Sequence, residues 1–127
     1  MAKILMVEDE AMVRFALKVL LESHGHEIIE ASNGREGVAK LGDEPVDVVI
    51  TDVLMPEADG TAVIKAARQL QPEPRIIAIS GGGARLPASL CLTLSEAFGA
   101  DRVLFKPFDN EELLAAVGEV LESRAAS

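Results

Sequence analysis

Four short, nearly unbroken apolar runs, Ile4–Val7, Val46–Ile50, Ile76–Ile79 and Val103–Phe105, alternate along the chain with longer segments of helical period. A strand that is apolar on both faces belongs in a parallel sheet covered on both sides, and alternation with helices is how such a sheet is connected. A weaker fifth strand is expected at Ile28-Ile29, which lies between Glu27 and Glu30 and so belongs nearer an edge. The expected fold class is therefore α/β, a doubly wound five-stranded parallel sheet with helices on both faces. At 127 residues the chain has room for one such domain.

Five helices are expected between and after the strands. In the first, Met12, Phe15, Ala16, Val19 and Leu20 follow the 3 and 4 spacings of one buried stripe, and the helix stops near Ser23-His24-Gly25, where glycine suits a left-handed cap. The second begins at Asn33-Gly34-Arg35-Glu36, with Asn and Glu spaced as a capping box. The third follows Asp59-Gly60, buries Val63, Ala67 and Leu70, and ends before Pro72. Leu86–Phe98 fits either period; a helix is preferred because an antiparallel strand would break the alternation and because Pro87, Ser89 and Gly99 suit helix ends. The last opens with Asp109 and Glu112 in capping positions and carries Leu113, Val117, Val120 and Leu121 on one side.

Charge and composition narrow the function. Twelve Lys plus Arg against 21 Asp plus Glu give a formal charge of -9, so attraction to a phosphate backbone is not expected, and direct nucleic-acid binding is excluded from the reading. Cys91 is the single cysteine, which rules out an intramolecular disulfide and a cysteine zinc site and fits a reducing cytoplasm. No apolar run approaches a membrane span, and Glu8-Asp9-Glu10 cuts the first run too short for a signal peptide.

In an open parallel sheet the ligand site lies beyond the carboxyl ends of the strands. Glu8 and Asp9 follow the first run, Asp52 the third, Ser80 the fourth and Lys106 the fifth. Three carboxylates at one edge repel strongly and call for a cation. Oxygen donors without His or Cys suit a hard ion, Mg²⁺, and Lys106 adds a fixed positive charge. A hydroxyl, an ammonium group, three acids and a divalent ion match a phosphoryl group. A Walker loop is missing, since Gly81-Gly82-Gly83 has no following Lys, and neither Asp9-Glu10-Ala11 nor Asp52-Val53-Leu54 supplies the Asp-x-Asp of other phosphoryl-transfer sites.

With these residues in view, the chain resembles a response regulator receiver domain of the stand-alone, two-component type. The likeness rests on Ile-Leu-Met-Val-Glu-Asp-Glu at 4–10, Asp-Val-Val-Ile-Thr-Asp-Val-Leu-Met-Pro at 47–56, Ile-Ile-Ala-Ile-Ser at 76–80 and Phe-Lys-Pro-Phe at 105–108. It implies a flavodoxin-like, receiver-type fold over 1–127, with no effector domain. It also implies that Asp52 is the phosphoacceptor, attacking a phosphohistidine on a sensor histidine kinase or histidine phosphotransfer protein. Asp9, Asp52 and the backbone carbonyl of Leu54 would ligate Mg²⁺, with Glu8 acting mainly through bound water. Ser80 would hydrogen-bond the phosphoryl oxygens, Lys106 would pair with the charge on Asp52, and the bond before Pro107 would be cis. Such a domain is not an enzyme with a separate substrate; it promotes its own phosphorylation and dephosphorylation and then meets an output protein.

Two features depart from the family pattern. The stretch from Ser80 to Lys106 is longer than usual, and Val103 stands where the family commonly has Tyr or Phe. The competing readings are a receiver-like binding module that signals without phosphate turnover and a metal-dependent phosphatase. The intact set of site residues favours the phosphoacceptor over the first, and the lack of a substrate-pocket motif disfavours the second. His24 and His26 read as surface residues, Cys91 as a packing residue, and Glu111, Glu112, Glu119 and Glu122 as a solvated helix face.

Overall fold

A computed structural model of the chain describes residues 2–52, 60–80 and 99–126. The order is β1 (Lys3–Val7), α1 (Ala11–Ser23), β2 (Glu27–Ala31), α2 (Gly34–Asp43), β3 (Val48–Asp52), α3 (Gly60–Arg68), β4 (Arg75–Ser80), β5 (Arg102–Phe105) and α4 (Asn110–Ala126). All strands pair in parallel, in the order β2-β1-β3-β4-β5. The weak run at Ile28-Ile29 is indeed an edge strand. The helix expected over Leu86–Phe98 lies outside the described residues.

Successive strand residues point to opposite faces, and the two faces carry separate cores. On one side Ile4, Met6, Val48, Ile50, Ile77 and Ile79 pack with Leu17 and Leu21 of α1 and Leu113, Ala116 and Val117 of α4. On the other, Leu5, Val7, Val49, Ile76 and Ala78 pack with Leu41 of α2 and Val63, Ile64 and Ala67 of α3. Val103 packs half-buried on this second core. Helix ends follow the sequence signals. Gly25 has φ +88 after α1; the Glu36 amide donates to Asn33 Oδ1 at 2.8 Å; and Asp109 and Glu112 form a reciprocal capping box, with bonds of 2.8 and 3.3 Å.

The expected stripe of α1 needs correcting. Met12, Phe15 and Val19 are 81%, 62% and 48% exposed, and Ala16 is exposed too; the residues that face the sheet are Val13, Leu17, Leu20 and Leu21. The helix carries two apolar stripes on different sides, and spacing alone does not choose between them. The inward stripe is the one that carries three leucines, and in that rotation Arg14 and Lys18, four apart, both reach Glu30 of β2 at 3.3 Å.

Gly37 sits where α2 crosses the second core. A Cβ there would stand 2.9 Å from Val7 Cγ2 and 3.1 Å from Val63 Cγ2, both short, stiff and buried side chains. Gly118 in α4 is exposed, with nothing within 4 Å of its added Cβ. Gly37→Ala is therefore expected to lose about 1–2 kcal/mol through overpacking, while Gly118→Ala gains up to about 1 kcal/mol from helix propensity. Urea unfolding of the two variants checks both signs.

Candidate functional site

The chain reverses its direction of travel across the sheet after β2, so β1 and β3 are neighbours whose following loops diverge, and the crevice opens at their carboxyl ends. Val7 pairs with Thr51, which sets Glu8 level with Asp52 at this switch point. Burial of the two acids is nearly complete, at 1% and 5% exposure. Lys106 follows β5, two strands away from β3. Its Nζ donates to Asp52 Oδ2 and to Glu8 Oε1, each at 3.1 Å, and the Lys106-Pro107 bond is cis.

Lys106 thus bridges two buried carboxylates, in a place mostly closed to water. Burial pushes the Glu8 carboxyl above its ordinary 4.5; the Glu10 amide, which donates to Glu8 Oε2 at 3.1 Å, and Lys106 oppose the rise, and nearby Asp9 adds to it. Burial also works against the charged form of Lys106. The hydrogen bonds to Asp52 and Glu8 outweigh it and hold the ammonium above its ordinary 10.5. The lysine is thus a fixed cation across the whole neutral range.

Carboxylate oxygens of Glu8, Asp9 and Glu10 lie within 4.8 Å of one another, with Glu8 buried and the other two exposed. The donor set is all oxygen, partly dehydrated and negative, which fits a hard divalent cation. Of the expected site, the structure joins Glu8, Asp52 and Lys106 through the lysine bridge and groups the Asp9 carboxylate with those of Glu8 and Glu10. Ser80 is placed as the last residue of β4, paired with Phe105, while Leu54 lies outside the described residues. Two neighbours escaped the sequence reading. Glu10 belongs to the acidic break after the first run and to the 4–10 motif, and neither gives it a role in the site. Arg14 is a cation near the amino end of a helix, where the dipole disfavours one, and such a local misfit is the signal that marks a used residue.

The profile of the response regulator receiver domain matches residues 4–118. The chain belongs to this family. As a receiver domain it is 34% identical over 120 residues to the chemotaxis protein CheY of Bacillus subtilis, covering 94% of this chain and 97% of that one. It is 37% identical over 121 residues to the transcriptional regulatory protein CpxR of Escherichia coli, covering 95% of this chain but 50% of CpxR, so the chain spans about half the length of that relative. Among solved structures, a CheY-like receiver domain protein of Methanospirillum hungatei superposes with a TM-score of 0.84 at 27% identity, covering 98% of this chain and 96% of that one. The five-stranded parallel sheet is thus a receiver sheet, and the domain is of the kind that serves two-component signalling as a phosphoacceptor. Among the described residues no helix is long and apolar enough to cross a membrane.

Proposed function

We propose that Asp52 is the phosphoacceptor and that it takes its phosphoryl group from a phosphohistidine on a sensor histidine kinase or a histidine phosphotransfer protein. The observation that carries this is the lysine bridge: Lys106 Nζ at 3.1 Å from both Asp52 and Glu8, at the switch point of the sheet. The Asp52 carboxylate oxygen forms a bond to phosphorus as the P–N bond to the donor imidazole breaks, and the nitrogen keeps the electron pair and takes up a proton. Lys106 orients the Asp52 carboxylate and is positioned to follow the added charge onto the phosphoryl oxygens. Ser80, at the end of the next strand, is assigned the hydroxyl that meets the same oxygens.

Asp9 and Asp52, with the Leu54 carbonyl, are the residues we assign to Mg²⁺. Glu8 acts through water, in keeping with its two oxygens being engaged by Lys106 and the Glu10 amide. When bound, Mg²⁺ offsets the negative charge that gathers as a dianionic phosphoryl group meets several carboxylates. The domain in this reading promotes its own phosphorylation and dephosphorylation, works in the cytoplasm, has no separate substrate and presents an altered surface to an output protein. The exposed stripe Met12, Phe15 and Val19, starting beside the acidic turn, is apolar surface that an approaching protein donor would cover.

Phosphoramidate or acetyl phosphate supplied with Mg²⁺ is expected to add one phosphoryl group, seen by intact mass, and chelation of the metal is expected to prevent it. No added mass with either donor would turn the reading toward a module that signals by contact alone.

A further inference from the structure

We propose that Arg14 is a positioning residue that sets the shape of the acidic turn and, through it, the affinity for Mg²⁺; the inference rests on the site assignment above. Glu8 has every polar group engaged: its N–H donates to the Ala31 carbonyl at 3.0 Å, its side chain accepts from Lys106 and from the Glu10 amide, and its carbonyl accepts from Arg14 Nη1 at 2.7 Å. The last bond ties the backbone of Glu8, and the side chain that makes it is anchored on β2. Arg14 Nε donates to Glu30 Oε1 at 3.3 Å, and Lys18 holds the other oxygen of Glu30 at the same distance. Arg14 also closes the first turn of α1, its N–H donating to the Glu10 carbonyl at 2.9 Å.

One guanidinium thus ties the carbonyl of Glu8 to β2 while its backbone fixes the far end of the turn. Asp9 and Glu10 lie between those two points. Their carboxylates are exposed and have little packing of their own to hold them toward Glu8. A planar fork that donates in two directions suits this task; an ammonium group serves one direction at a time.

The sign of the effect separates this role from its rivals. By charge alone, removing a cation near an acidic site tightens the binding of a divalent ion. A merely structural residue, once lost, lowers the melting temperature of the metal-free protein and leaves the Mg²⁺ affinity of the folded fraction unchanged. Positioning predicts weaker binding, of about the tenfold size seen when the outer contacts that orient a metal site are lost.

The test is a calorimetric titration with Mg²⁺ of wild type, Arg14→Gln, Arg14→Lys and Glu30→Gln. It is read beside the Mg²⁺ concentration giving half-maximal phosphorylation by phosphoramidate. The expected result is about tenfold weaker binding in Arg14→Gln, a matching rise in the half-maximal concentration, and a smaller loss in Arg14→Lys. Binding in Arg14→Gln that is unchanged or tighter, or a loss that Arg14→Lys fails to reduce, overturns the inference. Should Arg14→Gln not fold, Glu30→Gln, which releases only the far end of the clamp, is held to the same standard. Failure of wild type to bind Mg²⁺ at all would instead count against the site assignment.

Discussion

Asp52→Asn is expected to slow phosphorylation by small phosphodonors at least about a thousandfold, because the amide oxygen is a poor nucleophile. The rate of mass gain in the presence of Mg²⁺ measures this. The same substitution is expected to raise the unfolding temperature of the metal-free protein. Glu8 and Asp52 are both buried and both reach the Lys106 ammonium, so the native state holds a like-charge contact between them that unfolding disperses. Removing it while leaving the Glu8–Lys106 pair intact is worth about 1 kcal/mol. Added Mg²⁺ should then stabilise wild type more than the variant, by binding linkage. Equal responses would separate Asp52 from the metal.

Lys106→Met is expected to act in the opposite direction. It strands Glu8 and Asp52 together without their cation, and breaking a partly buried pair of this kind is expected to cost about 2–3 kcal/mol at neutral pH without metal. The pH dependence carries a definite sign. The Lys106 pKa is raised on folding, so its stabilisation is complete below its ordinary 10.5 and is lost as the pH climbs through the higher folded value. In the variant the Glu8 carboxyl, already raised by burial, loses the lysine that opposes the rise, so the deficit relative to wild type narrows on acidification. Combining Lys106→Met with Asp52→Asn should recover much of the loss, and a double-mutant cycle in urea reads the coupling. Additive effects of the two substitutions would mean that the Asp52–Lys106 contact carries no energy.

The strands were legible because a parallel sheet buried on both faces demands what these runs contain: Val48, Val49 and Ile50 read alike whichever face they serve, and all three are buried. The site was legible for a related reason. Topology sends the residue after each strand to one edge, so Glu8, Asp52 and Lys106 could be gathered from positions about a hundred residues apart with no knowledge of contacts. What the pattern did not decide was the rotation of α1. Phe15 looks like a core residue by composition, yet Leu17 takes the core and Phe15 the surface, in a rotation that packs Leu17, Leu20 and Leu21 on the sheet and lets Arg14 and Lys18 reach Glu30, a partner on another element. The clamp from Arg14 to the Glu8 carbonyl was hidden for the same reason: backbone acceptors leave no trace in a side-chain pattern.

The most direct test of the account is the position of the phosphoryl group. After reaction with phosphoramidate and Mg²⁺, borohydride reduces an aspartyl phosphate to the alcohol, turning that aspartate into homoserine, which peptide mass spectrometry locates. The account predicts a single converted residue, at position 52, absent when Mg²⁺ is chelated. Conversion at Asp9 or another acid with Asp52 intact, or a stable phosphoryl group on a side chain that borohydride does not reduce, would contradict it.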